Sequence, residues 1–124
     1  ALVSCVKTKR TSAVAARDLY ISKLFIGMRR YAEQNTDAWF ILCAEYGVLR
    51  PDQVIGRYER TLKTMPKRDR VAWAEQVQRQ LLELLPAGAV IVVLAGVPYR
   101  ERVVPFLASH GFTVEVPMVG FAFG

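Results

Sequence analysis

Histidine is almost absent from this chain and cysteine nearly so. His110, Cys5 and Cys43 are the whole complement in 124 residues, and they show no zinc-ligand spacing, so no metal is expected. Both cysteines lie in apolar, strand-like stretches without secretory context, which predicts buried reduced thiols rather than a disulfide. Apolar runs of the roughly 18 residues needed to span a bilayer are missing. The opening Ala1-Leu2-Val3-Ser4-Cys5-Val6 is short and gives way to lysines, the reverse of signal-peptide order. The expected setting is the cytoplasm, with no membrane partner. Repeats, low-complexity tracts and linkers are also lacking, and no cofactor is implied.

What is present suits one domain over residues 1–124. Hydrophobic residues make up 52% of the chain, enough for a buried core. The net charge of +6 is unevenly spread. Residues 1–70 hold 14 Lys/Arg against 7 Asp/Glu, whereas residues 71–124 hold 3 against 4. That asymmetry points to an anionic partner, nucleic acid or nucleotide.

Four apolar stretches read as strands: Ala1–Val6, Ala38–Ala44, Ala89–Leu94 and Phe112–Val116. Helical patterns separate them. Ser22 is a plausible N-cap for a helix with Leu24, Phe25, Met28, Tyr31 and Ala32 at three- and four-residue spacing. Thr64-Met65-Pro66 opens a second helix with Trp73, Val77, Leu81 and Leu84 on one face and Arg70, Gln76, Gln80 and Glu83 mostly on the other. Pro98 starts a third, kinked at Pro105. Lys7–Arg17 and Glu45–Lys63 read as loops. Continuous apolar strands alternating with helices predict an α/β, Rossmann-like three-layer sandwich. Its mostly parallel sheet has about four strands, with Ala1–Val6 and Ala89–Leu94 adjacent at the centre.

Right-handed crossovers gather the strand-to-helix loops on one sheet edge, where ligands bind in such folds. Four segments are nominated: Ser4–Arg10, Ala44–Arg50, Ala95–Arg100 and Pro117–Gly124. In the first, Lys7 and Lys9 can hold phosphate, and Cys5 is either a thiol activated by those cations or a small packed hydrophobe. In the second, Glu45 and Tyr46 form a possible acid/base pair beside flexible Gly47; otherwise Glu45 only caps a turn. Loops of neighbouring parallel strands meet, so Lys7 is expected within reach of Glu45 or Tyr46. Arg57-Tyr58-Glu59-Arg60 interleaves an aromatic with cations, as base stacking and phosphate contact require. Gly96 leads into a helix start that could face an anion. Gly120-Phe121-Ala122-Phe123-Gly124 offers two aromatics for a planar base, or a cover for the core.

These stretches together resemble the YaaA family of peroxide-stress, DNA-binding proteins and a group of smaller bacterial and phage domains. Ser4-Cys5-Val6-Lys7-Thr8 looks like the family's Ser-Pro-Ala-Lys-Thr, and Asp18-Leu19-Tyr20 like its Asp-Val-Tyr. Tyr46-Gly47-Val48-Leu49-Arg50-Pro51, with Tyr58 downstream, looks like its Tyr-Gly-Val-Leu-Arg-Pro and later Pro-Tyr-Arg. The smaller domains share Leu94-Ala95-Gly96, Tyr99 and a glycine-rich turn like that at Gly120, which in them leads into a further helix. Cys5 stands where YaaA has proline, so Lys7 is the shared residue, and there is no room for that family's DNA-binding insertion.

The resemblance implies a domain acting on nucleic acid or nucleobases. Lys7, Glu45 and Tyr46 would be catalytic. Ser4, Cys5, Lys9, Tyr20, Tyr58, Gly96, Tyr99 and Gly120 would hold substrate, and Arg10, Arg57, Arg60 and Lys63 would meet phosphates. By analogy with base-processing enzymes of similar layout, the arrangement suits attack at an N-glycosidic bond, as in a DNA glycosylase. A non-catalytic DNA-binding protein of the oxidative stress response and a plain interaction domain remain the alternatives.

Overall fold

The computed structural model describes residues 1–4, 13–20, 22–56, 58 and 60–117. Its two most apolar segments pair at the centre of a mostly parallel sheet. Strand β1 (Leu2–Ser4) is wholly buried. Next come β2 (Val14–Ala15) and the one-turn helix α1 (Ala16–Leu19), where the sequence suggested only loop. Helix α2 (Lys23–Asn35) starts where the cap predicts: Ser22 Oγ accepts from the Phe25 amide at 3.1 Å. Phe25, Met28 and Ala32 are buried, while Tyr31 is exposed.

Strand β3 (Phe40–Cys43) follows, then β4 (Gly47–Leu49) and β5 (Val54–Ile55). A 3-10 turn at Leu62–Thr64, whose N-cap is Thr61, precedes helix α3 (Lys67–Leu84). The second helix thus begins later than Thr64 suggested; its N-cap position is Pro66, which has no side-chain donor or acceptor. Strand β6 (Val90–Leu94), helices α4 (Val97–Arg100) and α5 (Val103–Ser109), and strand β7 (Thr113–Glu115) complete the described chain. The single kinked helix expected there is two helices. The break falls at Glu101 and Arg102, one turn before Pro105, because a proline ring crowds the carbonyl four residues earlier and offers it no N–H.

The main sheet has five strands in the order β4-β3-β1-β6-β7. β1 pairs in parallel with β3 (Val3 opposite Ile41) and with β6 (Leu2 opposite Val93), and β6 pairs in parallel with β7. The fifth strand, β4, was hidden in the long connection and runs antiparallel to β3, with Cys43 opposite Gly47. β2 and β5 form a separate two-stranded ribbon. Helix α2 packs on β1, α3 on β4 and α5 on β7, and α3 also touches α5. The buried side chains form one cluster that includes Phe25, Leu42, Val77, Leu81 and Val93. No helix among the described residues is long and apolar enough to cross a membrane.

Candidate functional site at the carboxyl edge

β1, β3 and β6 end together, at Ser4, Cys43 and Leu94, on the edge where loops of a parallel sheet meet. The chain goes from β1 to β3 on one side and later crosses to β6 on the other, so the strand order reverses beside β1. Ser4, at the end of β1, is the only buried non-aromatic polar residue among those described.

The turn from Cys43 to Gly47 carries Glu45 and Tyr46 into solvent. Glu45 is exposed and Tyr46 is 40% exposed. The Tyr46 ring stands edge-on to Tyr58 at 5.9 Å between centroids, and Tyr58 stands edge-on to Tyr20 at 6.4 Å. Tyr20 and Tyr58 are buried and their hydroxyls hydrogen-bond at 2.6 Å. Tyr20 also packs on Phe25 of α2, centroids 4.9 Å apart. Three of the tyrosines nominated from the sequence therefore form one row, anchored in the core at Tyr20 and open to solvent at Tyr46.

Tyr99 belongs to a different pair. It is buried edge-on against Trp73 at 5.7 Å, at the junction of α3 and α4. Gly96 is the N-cap of α4, a helix of four residues. There Pro98 has no N–H, and the amides of Tyr99 and Arg100 already donate to Gly96 O, which leaves little for an anion. Arg60 and Lys63 are exposed. Cys5, Lys7, Lys9, Arg10, Arg57 and Gly120 lie outside the described residues, so the expected meeting of Lys7 with Glu45 lies outside them too. Cys43 is fully buried at the end of β3.

Sequence reasoning missed what holds the turn. The Trp73 indole N–H donates to Cys43 O at 2.8 Å, Gln76 Nε2 to Tyr46 O at 3.4 Å, and the Val48 amide donates to Gln80 Oε1 at 2.9 Å. Gln76 and Gln80 are half-buried and serve the hairpin rather than the solvated face. The signal was their helical spacing with Trp73, which puts all three side chains on one stripe. Gly47 has φ +77°, and a Cβ there would strain the backbone and push the Gln80 amide aside.

An apolar cavity of about 340 Å³ lies at the end of β6, lined by Leu24, Gly27, Met28, Tyr31, Leu94 and Pro117 with Lys23 at its rim. Pro117 opens the last of the nominated segments; among the described residues, none of the candidate catalytic, substrate-binding or phosphate-binding side chains lines the cavity. Among the described residues no group of three or more His, Cys, Asp and Glu side chains could hold a metal ion.

Residues 1–124 match DUF6884, described as a family of unknown function. The chain belongs to that family. A match of this extent overturns the resemblance to YaaA. In this chain the Tyr46–Pro51 string has a local structural role: a positive-φ glycine beside α3, then a short strand and a proline turn. A relative is YfjM of Bacillus subtilis (strain 168), an uncharacterized protein 32% identical over 99 residues. That stretch covers 78% of this chain and 65% of YfjM, so the DUF6884 chain spans less than two thirds of its relative. No solved structure matches.

Proposed function

We propose that the chain is a Rossmann-like three-layer domain that handles nucleic acid or its bases and cleaves an N-glycosidic bond at the Glu45–Tyr46 turn. The layering is supported by the helix contacts: α2 lies on β1, while the touching pair α3 and α5 lies on β4 and β7. Right-handed crossovers leftward and rightward from the centre put these on opposite faces. A cytoplasmic setting belongs to the same reading.

One observation carries the functional reading. An exposed carboxylate sits next to a partly exposed aromatic ring held perpendicular to Tyr58, on the edge where such sheets bind ligands. A nucleobase stacks on Tyr46, whose tilt is set by Tyr58. Glu45 then accepts a proton from a water whose oxygen bonds to the anomeric carbon. The C–N bond breaks, its electron pair leaves with the base, and the base takes a proton from solvent.

The test is to incubate the protein with nucleosides and with modified and unmodified DNA and RNA, and to measure released base by chromatography. Release is expected, with Glu45→Gln lowering it about a hundredfold and Tyr46→Ala raising KM. Release by Glu45→Gln at the wild-type rate, or no release from any substrate, overturns the catalytic reading. A second reading, a non-catalytic nucleic-acid-binding protein, is favoured by Arg60, Lys63, Lys67 and Arg68. All four are exposed and none has an ion-pair partner among the described residues. It predicts retention on nucleic acid without base release.

A further inference from the structure

The three hydrogen bonds from α3 to the hairpin differ in polarity, and that difference assigns distinct roles to two glutamines. At position 80 the side chain accepts from a backbone amide, Val48; at position 76 it donates to a backbone carbonyl, Tyr46. β4 is the edge strand of the sheet, so an amide that points away from β3 has no strand to pair with. Gln80 supplies the missing acceptor. Trp73 anchors the start of the same turn through Cys43 O, in a buried bond. The turn is thus held on its outer side at Cys43, Tyr46 and Val48, by residues spaced along one stripe of an 18-residue helix.

We propose that Gln76 and Gln80 are positioning residues for Glu45 and Tyr46, with an acceptor required at 80 and a donor at 76. This rests on the proposed use of that turn for base chemistry. Neither glutamine needs to touch substrate. Their amides fix the peptide planes on both sides of Gly47, and those planes aim the carboxylate and the phenol ring. A glycine at φ +77° would otherwise give the turn freedom that a catalytic pair cannot tolerate.

Near-isosteric substitution separates the two requirements. Gln80→Glu keeps an acceptor toward Val48, and Gln76→Glu sets a carboxylate against the Tyr46 carbonyl. Gln80→Leu removes the acceptor altogether. The first readout is independent of activity: amide hydrogen exchange at Val48 and NMR shifts of Glu45 and Tyr46. Gln80→Leu is expected to speed Val48 exchange about tenfold, and Gln80→Glu to leave it within about twofold. Gln76→Glu is expected to shift Tyr46 while the sheet core keeps its protection.

The second readout is base release. Gln80→Leu and Gln76→Glu should each lower kcat/KM about tenfold, and Gln80→Glu should retain the wild-type value. If Gln80→Leu fails to fold, the two glutamate variants still carry opposite expectations. Equal behaviour of Gln80→Glu and Gln76→Glu in exchange and shifts overturns the positioning roles, whether or not base is released. Opposite behaviour in exchange and shifts, with no base release from any form, upholds the grip on the turn and overturns only the catalytic reading.

Discussion

Tyr20 and Tyr58 share a 2.6 Å hydrogen bond between hydroxyls that are out of reach of solvent. The bond joins the segment before α2 to the segment before the 3-10 turn, 38 positions apart. Losing one hydrogen bond from a buried hydroxyl leaves part of its desolvation cost uncompensated, whereas losing both hydroxyls removes that cost with the bond. Tyr20→Phe and Tyr58→Phe are each expected to cost about 1–2 kcal/mol. The double variant should cost clearly less than their sum. Urea denaturation of the four proteins checks this; strict additivity would show that the hydroxyls act independently.

Gly47 and Gly88 both have positive φ, at +77° and +74°. A side chain at Gly88 meets nothing within 4 Å, but a Cβ at Gly47 runs into the Gln80 amide. Gly88→Ala should therefore show only the left-handed backbone cost, about 1 kcal/mol. Gly47→Ala should cost about 2–4 kcal/mol, because it also displaces the acceptor of Val48. Thermal unfolding of the two variants side by side gives the comparison, and equal losses would remove the special role of the Gln80 contact.

Any affinity for nucleic acid should fall steeply with salt, because the excess positive charge sits in residues 1–70 and neutralising phosphates releases counterions. Reversing charge at Arg60 and Lys63 should weaken binding across sequences and flatten the salt slope by about one unit for each phosphate left without its cation. Both side chains are exposed, so the melting temperature should barely move. Fluorescence anisotropy between about 50 and 200 mM salt measures this, and an affinity indifferent to salt would refute it.

The parts of the fold legible in the sequence are those set by local pattern. Leu2–Ser4 and Val90–Leu94 stand out because a strand covered on both faces carries no polar alternation. Ser22 marks the start of α2 because a cap acts over three residues. β4 is not legible: Gly47-Val48-Leu49 is too short to show a period, and its outward amide is satisfied by Gln80, 32 positions further on. The same distance hides the role of α3. Helical periodicity places Gln76 and Gln80 away from the Val77–Leu81 face, and nothing local says that a hairpin turn waits there. In the site, Tyr20, Tyr46 and Tyr58 lie side by side, whereas Tyr99, grouped with them on sequence grounds, packs with Trp73.

The antiparallel step from β3 to β4 also bears on the order of folding. Leu2 meets Val93 only after almost the whole chain has come round, whereas Cys43 meets Gly47 across a three-residue turn. Short loops close with little loss of chain entropy and on the microsecond scale. The hairpin bearing Glu45 and Tyr46 is therefore expected to form among the earliest contacts, and α3 to dock on it as a template. A site built this way takes its shape before the central parallel pairing is complete, and slow steps in sheet assembly leave its geometry untouched.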